Sequence, residues 1–519
     1  MKIVGVAQGN NLRIFMRLVD LLKDQRSIDE IGAFVADSVA YKKLALEEPA
    51  LRDKSIALLK EWEMISEGLR RAPDWDNLAV YEKKLGDPVL WNALMADRRI
   101  YYGRRCKMRQ DYRPRFSYFQ MGGILEVALE KIECFLDRMD PDLVIGFGTA
   151  TIGDYLFYRF AKERGIPYLQ LKATKIGNHV ALNDDAVELS THISELLDED
   201  SAIPTWALDE ARAYLRSVRQ RGVQYEGAIK RGRRFGLLDS VMALVRGLVV
   251  DIRRTLNPET RKDNHLESIF LTHLHERFRN PINARLHEWC LGDRIIKSAS
   301  LAGQAPFAFF PLHFEPEVAL QVFGRPYQNQ IEVVRALASS LPAGMELLVK
   351  EHPRARGFRP LQYYRKLLEI PNVRLVDTGI PTHIVVQRAE LVTVISGSTG
   401  LEAAIFGRPV ITFGTPVYNV LHGNMIRHIT DLNRLGWEIK DLLDKYKADE
   451  PALERYIAAT IAGSVPVDLY TSLLGKSERL REGREEMDEE QRAKEDYRLL
   501  AEYCSKRIDR VVATASQTD

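Results

Sequence analysis

Cysteine is scarce in this sequence and never closely paired. The 519 residues contain four cysteines, at positions 106, 134, 290 and 504, and no Cys-x-x-Cys pair. Disulfide frameworks and cysteine-based zinc sites need more thiols or closer spacing than this. The scarcity therefore argues against both kinds of site and favours a reducing compartment.

Long apolar runs and one-sided charge are missing as well. The longest apolar candidate, Leu237–Val250, is interrupted by Asp239 and Arg246, whereas a membrane span needs roughly 18 uncharged apolar residues. Met1–Ala7 is too short for a signal-peptide core and predicts a first buried strand. The net charge of +2 gives no reason to expect nucleic acid as the main partner. We therefore expect a cytoplasmic protein.

The composition is that of a soluble globular protein of more than one domain. Hydrophobic residues make up 45% of the chain and charged residues 28%, so a sizeable core can be buried. The length predicts roughly two to four domains.

Two regions alternate short apolar strands with amphipathic helices, which is typical of a parallel sheet covered on both faces. The first runs from residue 1 to about 195, and its clearest unit is the strand Asp142–Gly148, the helix Ile152–Arg164 and the strand Gly165–Leu171. Residues 40–135 are charge-rich and mostly helical, which indicates a large helical insertion.

The second alternating region runs from about 304 to 440. Helices are predicted there at 328–340, 359–369, 381–388 and 399–406. The predicted strands are Phe307–Pro311, Glu346–Lys350, Val373–Val376, Leu391–Ile395 and Val410–Phe413. Short strands at this rhythm indicate a parallel sheet.

A basic helical stretch separates the two regions. Trp206–Lys262 holds 13 Lys or Arg against 6 Asp or Glu, including the run Lys230–Phe235. Charge runs usually mark a solvated surface, so a helical linker is one interpretation. Docking on an anionic membrane surface is the other, because each basic residue adds about 1 kcal/mol of attraction there.

A turn rich in small residues follows the predicted strand Leu391–Ile395. Its residues Ser396, Gly397, Ser398 and Thr399 place hydroxyls and backbone N–H groups at the carboxyl end of a parallel strand, which suits a phosphate. Glu402, one turn into the following helix, is then placed to reach ribose hydroxyls. Thr399 and Glu402 also fit an S/T-x-x-E capping box, in which they only satisfy helix donors.

Two further loops carry candidate groups. Lys350, His352 and Pro353 follow the strand Glu346–Lys350, where a lysine or histidine can neutralise a leaving phosphate. Proline restricts His352 to an extended backbone, although a His-Pro pair is also an ordinary strand exit. Residues 310–317 place His313 and two carboxylates after the first strand of this region, as candidates for acid/base work or as solvated side chains.

With these segments the second region resembles the capsule polysaccharide biosynthesis family of glycosyltransferases, which includes the Kdo transferases of capsule assembly. The resemblance covers about 110 residues in the family's order and spacing. The matching runs are FPLHFEPE (310–317), YQNQ (327–330), LPAGMELLVKEHPRARGF (341–358), YYRKLLEIPNVRLVD (363–377) and ELVTVISGSTGLEAAIFGRPVITFGTPVY (390–418). The first region is matched only by its strand–helix rhythm.

The resemblance implies a GT-B architecture, an α/β fold with two Rossmann-like doubly wound domains facing a cleft, here with helical insertions. It implies a donor in the C-terminal domain and an acceptor mostly on the N-terminal one. The expected division is an acceptor domain at 1–195, a basic helical linker at 196–303, a nucleotide-sugar domain at 304–440 and a helical tail at 441–519.

The resemblance also implies roles for single residues. His352 and Pro353 match the family's His-Pro motif, which together with the hydroxyl-rich turn holds the cytidine nucleotide of a CMP-activated sugar. Glu402 matches the glutamate of the following helix, and Glu317 matches the last residue of a Gln-Pro-Glu motif. Glu315 stands where glutamine is usual, and Val318–Gln321 replaces the usual Ala-Ser-Thr stretch.

Our first hypothesis is a metal-independent glycosyltransferase without cofactors, which adds a sugar such as Kdo to a surface glycan or glycolipid. Lys350, His352 and a helix N-terminus would supply the positive charge that a cation supplies elsewhere. Asp154, in the N-terminal half, is a candidate to act on the acceptor, and it equally fits the first turn of a helix. The alternatives are a transferase using a CDP-activated polyol phosphate donor and a catalytically silent scaffold subunit at the inner membrane.

Overall fold

The computed structural model describes residues 1–52, 55–86, 90–101, 115–198, 203–222, 236–263, 267–301, 303–421, 423–476 and 488–518. The basic run Lys230–Phe235 and Cys106 lie outside the described residues.

Fourteen strands in the described residues form two sheets of seven. In chain order they are β1 (Lys2–Ala7), β2 (Glu30–Val35), β3 (Ala57–Lys60), β4 (Leu143–Gly146), β5 (Tyr168–Ala173), β6 (His179–Asn183), β7 (Ile295–Ile296), β8 (Phe307–Pro311), β9 (Glu346–Lys350), β10 (Val373–Val376), β11 (Leu391–Val394), β12 (Val410–Thr412), β13 (Ile426–His428) and β14 (Val465–Pro466). The five strands predicted in the second region are confirmed to within one residue.

The first sheet has the strand order β14-β6-β5-β4-β1-β2-β3. Its strands from β3 to β5 are parallel, β6 is antiparallel to β5, and β14 is antiparallel to β6. The strand order reverses between β1 and β4, and such reversals are where open α/β sheets leave a crevice at the carboxyl ends.

The second sheet has the strand order β13-β12-β11-β8-β9-β10-β7, and every neighbouring pair is parallel. Its order reverses between β8 and β11. The loops after these two strands are the 310–317 segment and the hydroxyl-rich turn, so the topology brings together two motifs that lie about eighty residues apart in the sequence.

Helices cover both sheets. Those of the first half are Asn11–Lys23, Ser38–Glu47, Pro49–Arg52, Glu61–Gly68, Trp75–Leu85, Trp91–Ala96, Arg98–Tyr101, Tyr118–Met139, Ile152–Glu163 and Thr191–Asp198. The next are Thr205–Arg221, Leu237–Leu256, Pro258–Lys262, Ile269–Leu274, Asn280–Leu291 and Ser298–Leu301. Those of the second half are Val318–Gln321, Gln330–Ser340, Leu361–Leu368, Thr382–Arg388, Thr399–Ile405, Leu435–Lys445, Glu450–Ala462 and Glu489–Thr518.

The second sheet is buried on both faces, as a parallel sheet requires. Adjacent residues of β8 show this, because Phe309 packs into the core on one side of the sheet and Phe310 into the core on the other. The apolar runs that predicted the strands follow from this two-sided burial. The predicted α/β class with two doubly wound sheets is confirmed.

The end of the chain returns to the first sheet. Strand β14 pairs with β6, and Leu500, Cys504 and Ile508 of the last helix are buried in the same core as Phe15. None of the helices in the described part of the chain is long and apolar enough to cross a membrane.

Candidate functional site

His313, in the loop after β8, lies against the turn after β11. Its Nε2 atom accepts a hydrogen bond from the Ser396 N–H at 3.5 Å, and a Cβ added at Gly397 would lie 2.9 Å from the imidazole. Burial lowers the pKa of His313 to about 3, so the ring is neutral near pH 7. His313 is therefore an acceptor for the turn in this arrangement, and its acid/base role stays a prediction.

The turn itself is held by groups from other elements. The Ser396 hydroxyl donates to the Ala319 carbonyl at 2.5 Å, and the Tyr418 hydroxyl donates to the Gly397 carbonyl. A Cβ at Gly400 would lie 2.4 Å from the Tyr418 hydroxyl oxygen, so only glycine fits there. These contacts fix the turn through Ser396 and Gly397. They do not use the hydroxyls of Ser398 and Thr399.

The capping box predicted for Thr399 and Glu402 is wrong. The residue before the helix is Ser398, whose backbone is already helical, and its side chain makes no capping bond. A capping residue needs an extended backbone so that its oxygen reaches back to the helix N–H groups. Ser398 is exposed and Thr399 is half-buried, which keeps both hydroxyls at the surface of the turn.

Lys350 ends β9 with its ammonium group inside the site. It is buried, and its Nζ donates to the Thr382 hydroxyl at 3.0 Å. Burial lowers the pKa of Lys350 to about 8, while the nearby charge of Glu402 opposes that shift. Lys350 is therefore still protonated near pH 7. The carboxylate of Glu402, the predicted ribose ligand, is close enough to stabilise the lysine charge.

His352 has the extended backbone that Pro353 predicts, with φ −61° and ψ 130°. Its Nδ1 accepts from the Arg354 N–H at 3.2 Å, which leaves the proton on Nε2. Burial, aided by the Arg354 charge, lowers the pKa of His352 to about 4. The positive charge predicted for His352 is therefore absent near pH 7, and the ring offers a neutral N–H donor.

Arg359, which the sequence analysis missed, organises this side of the site. It is fully buried, and its guanidinium donates to Glu351 Oε2 at 2.6 Å, to Glu315 Oε1 at 3.1 Å and to the His313 carbonyl at 2.7 Å. It also lies 4.4 Å from the centre of the Tyr363 ring. Glu315 is thus a buried ion-pair partner and not a solvated carboxylate.

Gln330 holds the same loop from the opposite side. Its carbonyl oxygen accepts from the His313 N–H at 2.7 Å, and its amide nitrogen donates to the His313 carbonyl at 3.1 Å and to Glu315. Gln330 lies in the YQNQ run that carried the resemblance, but its partners are 15 and 17 residues away. The spacing of residues within the YQNQ run does not predict contacts over such separations.

The segment that follows Glu317 joins the two halves of the chain. Glu317 is exposed, while Val322 is buried in the core of the first half. The Arg325 guanidinium lies 6.0 Å from the centre of the Tyr155 ring. The segment after Glu317 therefore lies next to the helix that begins at Ile152 and carries Asp154.

Asp154 forms a capping box with Thr151, as the alternative sequence interpretation predicted. Its Oδ2 accepts from the N–H groups of Ala150 and Thr151, both at 3.0 Å. Burial raises the pKa of Asp154 to about 7. The carboxylate has a structural role, and its pKa is also in the range that a general base needs.

A second cationic group at the cleft was not predicted. The buried Lys172 Nζ lies 4.8 Å from the centre of the Phe323 ring. Within the described part of the chain, Lys172 Nζ, Arg325 Nη1 and the Gln321 amide nitrogen have no hydrogen-bond partner. Burial lowers the pKa of Lys172 to about 8. The three donors come from Lys172 and from the 321–325 segment that carries Phe323, and we call them the donor cluster.

This donor cluster adjoins the hydroxyl-rich turn. The Phe323 carbonyl accepts from the Thr415 N–H at 2.9 Å, and a Cβ at Gly324 would lie 2.3 Å from the Ile395 side chain. Ile395 directly precedes the turn at Ser396. The segment that carries the donor cluster therefore packs directly against the strand that precedes the hydroxyl-rich turn.

Fold and site together define an α/β protein with two doubly wound sheets, in which the candidate groups meet at the switch point of the second sheet. Residues 277–423 match the model of the family described as capsule polysaccharide biosynthesis protein. The match contains Lys350, His352 and the whole hydroxyl-rich turn, and it falls on the segment for which the resemblance was predicted.

Solved structures similar to this chain include sugar-processing proteins. The KpsC β-Kdo 2,7 transferase of Thermosulfurimonas dismutans is 12% identical with a TM-score of 0.34, over 64% of this chain and 80% of that one. The UDP-GlcNAc 2-epimerase of Neisseria meningitidis, bound to UDP-GlcNAc, is 12% identical with a TM-score of 0.28, over 89% and 98%. No curated protein matches the chain.

Proposed function

We propose that this protein is a glycosyltransferase of bacterial surface polysaccharide biosynthesis. It transfers a sugar from a nucleotide-activated donor to a glycan or glycolipid acceptor. The observation that carries the proposal is the family segment 277–423, because it contains both loops of the switch point in the second sheet. The leading donor is a CMP-activated acidic sugar such as Kdo.

In the proposed reaction an acceptor hydroxyl attacks the anomeric carbon of the sugar. The bond from that carbon to the phosphate oxygen breaks, and the nucleotide leaves with the electron pair. The Lys350 ammonium, the His352 Nε2–H and the turn residues Gly397, Ser398 and Thr399 bind the phosphate and stabilise its growing charge, while Ser396 holds the turn through His313 and Ala319. The Glu402 carboxylate accepts hydrogen bonds from the ribose hydroxyls.

The acceptor proton needs a base on the opposite side of the cleft. Asp154 and Glu317 are our candidates for this base, and the scheme uses neither a metal nor a cofactor. Lys172 and Arg325 then bind the acidic group of the donor, either its phosphate or its sugar carboxylate.

A donor screen with product analysis tests the proposal. We expect the protein to consume a CMP-linked sugar in the presence of a glycan acceptor and to release CMP. Consumption of a CDP-linked polyol instead would support the phosphate-polyol transferase. If no donor is consumed and calorimetric titration shows no nucleotide binding, the scaffold hypothesis replaces this one.

The pH dependence of kcat/KM should identify the base. If Asp154 is the base, kcat/KM rises as the pH increases through about 7, because only the deprotonated carboxylate accepts a proton. Asp154→Asn keeps an acceptor for the Ala150 and Thr151 N–H groups, so the fold should survive while the rate falls by about 10²–10⁴. Near-normal turnover by Asp154→Asn, together with a loss of rate in Glu317→Gln, would assign the base to Glu317.

Replacing Lys172 should weaken donor binding. A charge-assisted hydrogen bond contributes about 1.5–3 kcal/mol, so Lys172→Met should raise the donor Kd by roughly 10–100-fold in calorimetry. The wild-type affinity should also fall as the pH rises above about 8, where Lys172 loses its proton. Lys172→Arg, which stays charged, is the matched control.

Comparing two ligands shows which group Lys172 binds. If it binds the phosphate, Lys172→Met weakens binding of both CMP and the intact donor. If it binds the sugar carboxylate, only donor binding weakens. Unchanged affinity for both ligands would contradict a role for Lys172 in the site.

A further inference from the structure

The helix Leu237–Leu256 presents its large apolar side chains to solvent. Its buried residues are small: Ser240, Ala243 and Gly247. Its exposed apolar residues are between 42% and 83% exposed. They are Leu237, Leu238, Val241, Met242, Val245, Leu248, Val249, Ile252 and Leu256. In a helix that only covers a protein core, the large apolar side chains are buried and the polar ones face solvent.

The contacts on the buried side hold this orientation in place. The helix packs against Ile269–Leu274 so closely that a Cβ at Gly247 would lie 2.8 Å from the Phe270 nitrogen. The Asp251 carboxylate accepts from the Ser268 hydroxyl at 2.6 Å and from the N–H groups of Ile269 and Phe270 at 2.9 and 3.0 Å. Rotating the apolar side inward would break these bonds.

The nine exposed side chains form one continuous surface, which we call the apolar stripe. At 3.6 residues per turn they occupy an arc of about 140° that contains no charged residue. Arg246 and Arg253 lie on the same edge of that arc. The helix therefore combines an uncharged aliphatic face with cations at its border.

We propose that the apolar stripe binds the surface of an anionic membrane, with the helix lying in the interface and its aliphatic side chains towards the acyl chains. Amphipathic helices with an apolar face and a basic border lie in the membrane interface in this way. This helix has both features and is not long and apolar enough to span the bilayer. Arg246 and Arg253, at the border of the stripe, complement anionic headgroups.

Two features favour a lipid surface over a second copy of the chain. The stripe contains no Trp, Tyr or Phe, whereas protein interfaces depend on such residues for most of their affinity. Two stripes packed face to face in the antiparallel direction would also bring their arginine borders to the same side of the interface. This inference does not depend on the proposed transferase activity.

Co-sedimentation of the full chain with vesicles tests the inference. We expect binding to vesicles of phosphatidylcholine with phosphatidylglycerol, weaker binding to phosphatidylcholine alone, and a loss of affinity with added salt. Val245→Glu with Val249→Glu should abolish binding, because both carboxylates would enter the acyl region. Val80→Glu, at another exposed helix position, is the matched control and should bind as the wild type does.

The charged border is tested separately. Arg246→Gln with Arg253→Gln should weaken binding to the anionic vesicles by roughly 30-fold and reduce its dependence on salt. Circular dichroism confirms that each variant is folded. Equal binding of wild type and Val245→Glu/Val249→Glu, or no binding by wild type, would overturn the proposal. A dimer in sedimentation equilibrium that these substitutions dissociate would assign the stripe to a second copy.

Discussion

Replacing Arg359 by methionine should lower the free energy of unfolding by about 3–5 kcal/mol, the loss expected when one partner of a buried ion pair is removed. Arg359 is fully buried and is the cation between Glu315 and Glu351, so its loss leaves two buried carboxylates without their counterion. Urea unfolding followed by circular dichroism measures the change from the midpoint and the m-value.

Arg356 provides the matched control, because it lies three residues away and pairs with Glu288 at the surface. Its side chain is 53% exposed, so Arg356→Met should change stability by less than about 1 kcal/mol. Adding Glu315→Gln and Glu351→Gln to Arg359→Met should recover part of the loss, since the carboxylates are then uncharged. Equal stability of Arg359→Met and wild type would contradict a central role for this ion pair.

The Arg359 ion pair also explains the departure of residue 315 from the family pattern. Glutamate at that position carries a charge that Arg359 matches, and Gln330 donates a further hydrogen bond to it. The substitution therefore changes how the 310–317 loop is supported, while the exposed Glu317 keeps its place at the cleft. The glutamate at position 315 is accommodated by Arg359 and Gln330 on the buried side of the loop. Its presence gives no information about the donor sugar.

The sequence predicted the strands well and the site only in part. Strands such as Glu346–Lys350 were predictable because both faces are buried and the apolar run is continuous. Strands β7 and β14 were missed because each has only two residues, too few for any periodicity. Their place in the sheets is fixed by tertiary pairing.

The missed site residues have a common physical cause. Arg359 contacts groups 8, 44 and 46 residues away, and Lys172 is notable only because the packing of the two halves leaves its ammonium without an acceptor. The capping box failed for the same reason, because Tyr418 and Ala319 fix the turn from outside the helix. Motif spacing carries no information about such long-range partners.

Replacing His352 by alanine should lower kcat by about 10²–10³ without unfolding the protein. This is the loss typical of removing one hydrogen-bond donor to charge that develops in a transition state. The His352 ring supplies that donor at Nε2, because its Nδ1 is occupied by the Arg354 N–H. Single-turnover assays with the donor, together with thermal unfolding, separate the loss of chemistry from a loss of fold.

Two further variants separate the two ring nitrogens of His352. His352→Asn retains an acceptor for the Arg354 N–H but has no donor at the Nε2 position, so it should be as inactive as His352→Ala. His352→Gln places an amide N–H near Nε2 and should recover part of the rate. Since the pKa of His352 is about 4, the wild-type rate should show no histidine limb between pH 5 and 7. Near-normal turnover by His352→Ala would contradict the role of His352 as a donor to the leaving phosphate.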